Sequence, residues 1–172
     1  GKLKKAARIF SCRPDGSDVR WHAGGGMDNP VEVDFLPEGP TLGVVNLFYP
    51  KRGDCLVHWL HGGVYPREDM PVQIAEFKQT GELLGPVFDF GHVAVAGCLR
   101  YQSRALGEDF EGNWFVCQFN THKLARVKLT PSGSSYTAVS EDFLTSSDPD
   151  FHPTDVIEDA DGSLVVVDTG GW

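Results

Sequence analysis

FHPTDVIEDADGSLVVVD, residues 151–168, and DNPVEVDFLPEGPTLGVVN, residues 28–46, carry one pattern twice. In each, a proline is followed nine residues later by a glycine, Pro153 to Gly162 and Pro30 to Gly39, with apolar side chains spaced between them. Period-two alternation of this kind puts one face of a strand against a core and the other toward solvent. Asp161-Gly162 and Glu38-Gly39 then supply the tight turn, and a β-branched strand follows, ending in Asp168 or Asn46.

Upstream of each copy stands another strand-turn-strand. RIFSCRPDGSDV occupies 8–19 and ARVKLTPSGSSY occupies 125–136, the turns being Pro-Asp-Gly and Pro-Ser-Gly. A third, looser copy begins at IAEFKQTGEL, 74–83, and ends at Gly112-Asn113 followed by WFVCQF, 114–119. Ile74, Glu76 and Lys78 alternate with Ala75 and Phe77, which predicts a strand over 71–80. A unit of this kind is a β-meander. It cannot cover both of its own faces, so several must stack about an axis as the blades of a propeller; the repeat favours this over a β-sandwich. The reading is an all-β, incomplete run of about three blades, with units near 6–70, 71–122 and 123–172. The turn glycines Gly16, Gly81 and Gly133 lie 65 and 52 residues apart. That exceeds the roughly 40 residues of a compact blade and calls for inserted loops. Three units do not close a ring of four to eight blades, and Trp172 follows directly on a strand, so the last blade is expected to lack its closing strands.

A net charge of -9 argues against a nucleic-acid partner, because the basic residues cluster only at Lys2, Lys4, Lys5 and Arg8. No apolar run reaches the about 18 residues that a membrane helix needs, and none follows the N-terminal lysines as a signal peptide requires. A targeting segment would lie upstream. Cys12, Cys55, Cys98 and Cys117 have no metal-binding spacing. One or two disulfides, with Cys98 and Cys117 the nearest in sequence, and buried free thiols both remain open.

GMDNPVEVDFLPEG (26–39), HVAVAGCLRY (92–101), EGNWFVCQF (111–119) and DPDFHPTDVIEDADGSLVVVDTGGW (148–172) together resemble the propeller domain of bacterial membrane-bound dehydrogenase-like proteins. Those proteins are related to the glucose and sorbosone dehydrogenases. The resemblance covers nearly the whole chain. It implies a six-bladed propeller in the periplasm or cell envelope, oxidising a sugar or related alcohol with pyrroloquinoline quinone and calcium, and a c-type haem domain as partner in the parent chain. One departure stands out. Where the quinone-dependent members carry G-x-R-N-P-Q, this chain has Gly26-Met27-Asp28-Asn29-Pro30-Val31, so Asp28 replaces a cation that would pair with the quinone carboxylates.

His92, in the small-residue run GHVAVAG, is the candidate general base; its bland alternative is a hydrogen-bonded structural histidine. Arg100 and Tyr101 are candidates for holding a sugar hydroxyl or a carboxylate. Arg67, in VYPRED, and Asp168, at its strand end, complete the substrate-binding set. His58, Trp59 and His61 have a metal-like composition, but residues three apart on a strand face opposite ways. Asp155, Asp159, Asp161 and Asp168 are hard oxygen ligands that calcium suits, although Asp161-Gly162 is also what a hairpin demands. No nucleophile elbow, H-E-x-x-H or phosphate-cradling loop occurs. The leading expectation is a dehydrogenase-like propeller segment acting on a carbohydrate or other small molecule. The rival is a non-catalytic propeller that binds a glycan or protein partner through loops near His61 and Arg67. A calcium-dependent lactonase-type propeller is third.

Overall fold

The structure is a computed structural model and describes residues 7–48, 53–65, 75 and 77–171. Its strands are β1 (Ala7–Ser11), β2 (Arg20–Met27), β3 (Asn29–Phe35), β4 (Thr41–Phe48), β5 (Gly53–His58), β6 (Phe88–Asp89), β7 (Val95–Arg100), β8 (Trp114–Gln118), β9 (Lys123–Ser132), β10 (Ser135–Thr145), β11 (Pro153–Glu158) and β12 (Leu164–Asp168). They form two four-stranded antiparallel meanders, β3-β4-β5-β6 and β7-β8-β9-β10. A two-stranded sheet flanks them at each end of the sequence, β1-β2 and β11-β12. This is the propeller plan: two whole blades and two half-blades.

The blades are out of phase with the repeat read from the sequence. Sheets run from 29 to 89 and from 95 to 145, whereas the units 6–70, 71–122 and 123–172 each straddle two sheets. The two clear copies each join the outer hairpin of one blade to the inner hairpin of the next, because the strongest turn signals sit on those hairpins. Of the strand predicted over 71–80, residues 71–74 and 76 lie outside the described residues; 75 and 77–80 form no strand.

β3, β7 and β11 are the first strands of successive blades and lie against one another. Their inner edges have no strand partner among the described residues, so backbone N–H groups there and just beyond need other acceptors. Carboxylates provide them. Glu32 on β3 accepts from the Cys98 N–H at 2.8 Å and Asp34 from the Arg100 N–H at 2.7 Å. One blade further on, Glu158 on β11 accepts from the N–H groups of Gln102 and Ser103. Between the two whole blades the core is apolar, with Leu42, Val44 and Leu56 against Val95, Trp114 and Val116. Gly97 is where β7 and β11 approach: a Cβ there would stand 2.6 Å from the Asp155 Cα.

All four cysteines are free; Cys12 is exposed and the others are buried. Cys98 packs with Trp114 and Cys117 with Phe115 and Tyr101, in separate core clusters, so the pair cannot bridge. Burial pushes the Cys117 thiol up to about 12, which keeps it protonated and inert.

Candidate functional site

In an antiparallel meander, alternate connections emerge at the same end of the sheet. The connection from β6 to β7 (90–94), that from β8 to β9 (119–122), that from β10 to β11 (146–152) and the end of β12 therefore share one end of the propeller, with Asp28 between β2 and β3. His92, His122, His152 and Asp168 stand in or beside them.

These connections are tied to one another. Asp54, 3% exposed on β5, accepts from the Leu47 N–H at 2.9 Å through one oxygen, and from Val93 at 2.9 Å and Ala94 at 2.6 Å through the other. Leu47 (φ 56°) and Ala94 (φ 52°) both hold the left-handed conformation that side chains resist, so the carboxylate fixes two strained bends at once. The Ala94 and Val93 carbonyls then accept from the N–H groups of Phe119 and Asn120. His122 Nδ1 lies 2.6 Å from the Phe151 carbonyl oxygen, and His152 Nδ1 lies 3.0 Å from that of Phe119. The rings of His122 and His152 are 5.0 Å apart, and Phe119 stacks on His152 at 4.3 Å and 15°. Asp168 Oδ1 accepts from the His152 and Gly170 N–H groups, and these bonds hold its carboxyl below the usual range.

Carbonyl oxygens only accept, so Nδ1 of both His122 and His152 carries the proton. In the neutral ring, the Nε2 lone pair is left for a ligand. Both rings are half-buried. This pair escaped sequence reasoning, although His152 stands in the opening stretch quoted above. A histidine just before an inner strand, and another just before an outer one, was the available signal.

The predicted residues do not all gather. His92 is exposed on this face, and no side chain among the described residues orients its ring. Asp168 is on the face as well, but as an acceptor for backbone. Arg100 and Tyr101 are at the far end of β7, roughly 17 Å along a six-residue strand. Tyr101 is fully buried, and its hydroxyl donates to the Gly162 carbonyl at 2.5 Å while accepting from Ser103 Oγ and the Leu106 N–H. That corrects the substrate-binding expectation for Tyr101, which is a blade-to-blade tie. Arg67 lies outside the described residues. His58 is buried against Tyr136 with Nδ1 3.2 Å from Ser135 Oγ, and burial lowers its pKa; His61 is exposed beside His22. They build no common site.

The acidic run is structural by its bonds. Asp159 and Asp161 close the β11–β12 turn through the Ala160 and Ser163 N–H groups, and no three ligating side chains among the described residues converge on an ion. A quinone with several carboxylates fares no better. The ionisable residues of the described connections on this face are Asp28, His92, His122, Asp148, Asp150 and His152, without a lysine or arginine. These residues do not fit that group.

The fold has solved counterparts. It matches a soluble aldose sugar dehydrogenase from Escherichia coli in the apo-form, with TM-score 0.64 and 19% identity over 85% of this chain and 43% of that one. A PQQ-bound aldose sugar dehydrogenase from Streptomyces coelicolor gives 0.60 and 17%, over 87% and 42%. A glucose dehydrogenase gives 0.64 and 18%, over 92% and 46%. The chain thus spans less than half the length of these structures, and the likeness establishes a dehydrogenase-type propeller fold. Residues 69–169 match the family described as a domain of unknown function, DUF7133, and the chain belongs to that family. No curated protein matches it. No helix among the described residues is long and apolar enough to cross a membrane.

Proposed function

We propose that this chain is the base-bearing part of a propeller that oxidises a sugar or related alcohol, and that His152, with His122 beside it, takes the hydroxyl proton. The observation that carries this reading is the pair of Nδ1–H groups bonded to carbonyls, which leaves Nε2 as the acceptor on a half-buried face. An alcohol becomes a carbonyl when its O–H proton passes to such a base and its C–H hydride leaves. The hydride requires a two-electron acceptor, which these residues do not hold. A positioned general base contributes about 10²–10⁴-fold. His92 is the third imidazole on the face and lacks the orienting bond that the other two have. The sugar dehydrogenase names of the solved counterparts support the substrate class. An extracytoplasmic location and a haem-domain partner in the parent chain belong to the same proposal and rest on the family resemblance.

A second reading follows from the lack of lysine and arginine among the described connections of this face: a recognition propeller that binds a glycan without oxidising it. Dye-linked aldose oxidation by the full-length protein separates the two. The first reading expects turnover that His152→Gln lowers by about 10²-fold or more and His92→Gln by far less. Sugar binding without turnover in the wild type would leave the recognition reading.

A further inference from the structure

We propose that His122 and His152 form a two-imidazole site for a borderline divalent transition-metal ion of the Zn²⁺ and Cu²⁺ class.

Imidazoles that ligate metals almost always donate the other ring N–H to a carboxylate, carbonyl or water, which fixes tautomer and orientation. Both rings here do so, and reciprocally. His122 is tied to the carbonyl of Phe151, next to His152, and His152 to the carbonyl of Phe119, three residues before His122. Spacing agrees as well. With about 2.0 Å from zinc to nitrogen and about 1.1 Å from nitrogen to ring centre, two imidazoles sharing a tetrahedral ion have centres about 5 Å apart. The observed separation is 5.0 Å. Asp168, which accepts from the His152 backbone N–H, adds negative charge beside the pair. Calcium, which requires oxygen ligands, is the wrong ion for two nitrogens. No third ligating side chain among the described residues closes the site, so the remaining positions fall to water or substrate and the ion exchanges.

Titration calorimetry with ZnCl₂, and electron paramagnetic resonance with Cu²⁺, test this on the chain without sugar. One ion per chain is expected, with coupling to two nitrogens. Binding should weaken at least tenfold in His122→Asn and in His152→Gln, stay unchanged in the double variant His22→Gln/His61→Gln, and be absent for Ca²⁺. Asparagine is chosen at 122 because the residue there has φ 55°, which asparagine tolerates. Unchanged circular dichroism and melting confirm that the variants fold. Absence of Zn²⁺ binding, binding that survives both variants, or binding lost with His22 and His61 overturns the site. Zn²⁺ binding by a protein that oxidises no sugar would support the site while sinking the enzymatic reading. Sugar oxidation without Zn²⁺ binding would do the reverse.

Discussion

Removing the Asp54 carboxylate should loosen the connections that carry His92, His122 and His152. Its two oxygens accept from three backbone N–H groups, those of Leu47, Val93 and Ala94, at 2.9, 2.9 and 2.6 Å, inside a site only 3% exposed. Hydrogen bonds to a charged group are each worth about 1.5–3 kcal/mol, and a buried donor left without an acceptor costs about 1–3 kcal/mol. Three orphaned donors in Asp54→Ala therefore cost about 4 kcal/mol, taking the lower part of that range for backbone that relaxes toward water. Asp54→Asn should lose less, because its remaining oxygen can still accept from Val93 and Ala94 while its NH₂ faces the Leu47 N–H. Urea melts followed by tryptophan fluorescence measure the loss, and hydrogen exchange should show faster exchange at Val93 and Ala94 first. A change below about 0.5 kcal/mol, the scale of an ordinary surface substitution, would refute the anchoring role.

Three further outcomes are expected. Gly97→Ala puts a Cβ 2.6 Å from the Asp155 Cα and 2.9 Å from the Thr154 oxygen, both backbone atoms, so it should cost about 1–3 kcal/mol, while Gly85→Ala, with open space, should change little in the same melts. Glu32 has a raised pKa, chiefly from burial and then from Asp155 and Asp34 against the Cys98 N–H. A raised carboxyl favours the protonated folded state, so stability falls as pH rises from the ordinary value of about 4.3 through the folded one. Glu32→Gln should flatten that slope and gain on the wild type as pH goes from about 4 to about 7, read from urea midpoints. Arg126, with its side chain 6% exposed, stacks on Phe110 at 3.6 Å and donates to Asn113, Glu141 and Asp109. Arg126→Lys keeps the charge but not the planar fork, and should cost about 2 kcal/mol in thermal or urea melts.

The propeller was legible because its signals are local. Pro30 to Gly39 and Pro153 to Gly162 mark inner hairpins, and the Pro-Asp-Gly and Pro-Ser-Gly turns mark outer ones. Blade phase was not, since which hairpin pairs with which depends on β5 reaching β6 across residues 59–87, and β6 is only Phe88–Asp89. His92 and Asp168 could be placed at one end of the sheets because strand ends can be located from turn residues. His122 and His152 were missed because residues 30 apart in the sequence, on two different connections, meet only once the meanders are built. Tyr101 misled for a related reason: an aromatic residue after a strand looks available until burial shows its hydroxyl already engaged.

The imidazole nitrogens of His122 and His152 bear most directly on the site. Long-range ¹H–¹⁵N spectra, recorded before and after addition of an aldose, should show the Nδ1–H tautomer in both rings and a shift of both Nε2 signals with sugar, while His22 and His61 stay still. An Nε2–H tautomer in either ring, or Nε2 signals that ignore saturating sugar, would contradict a substrate site at this pair.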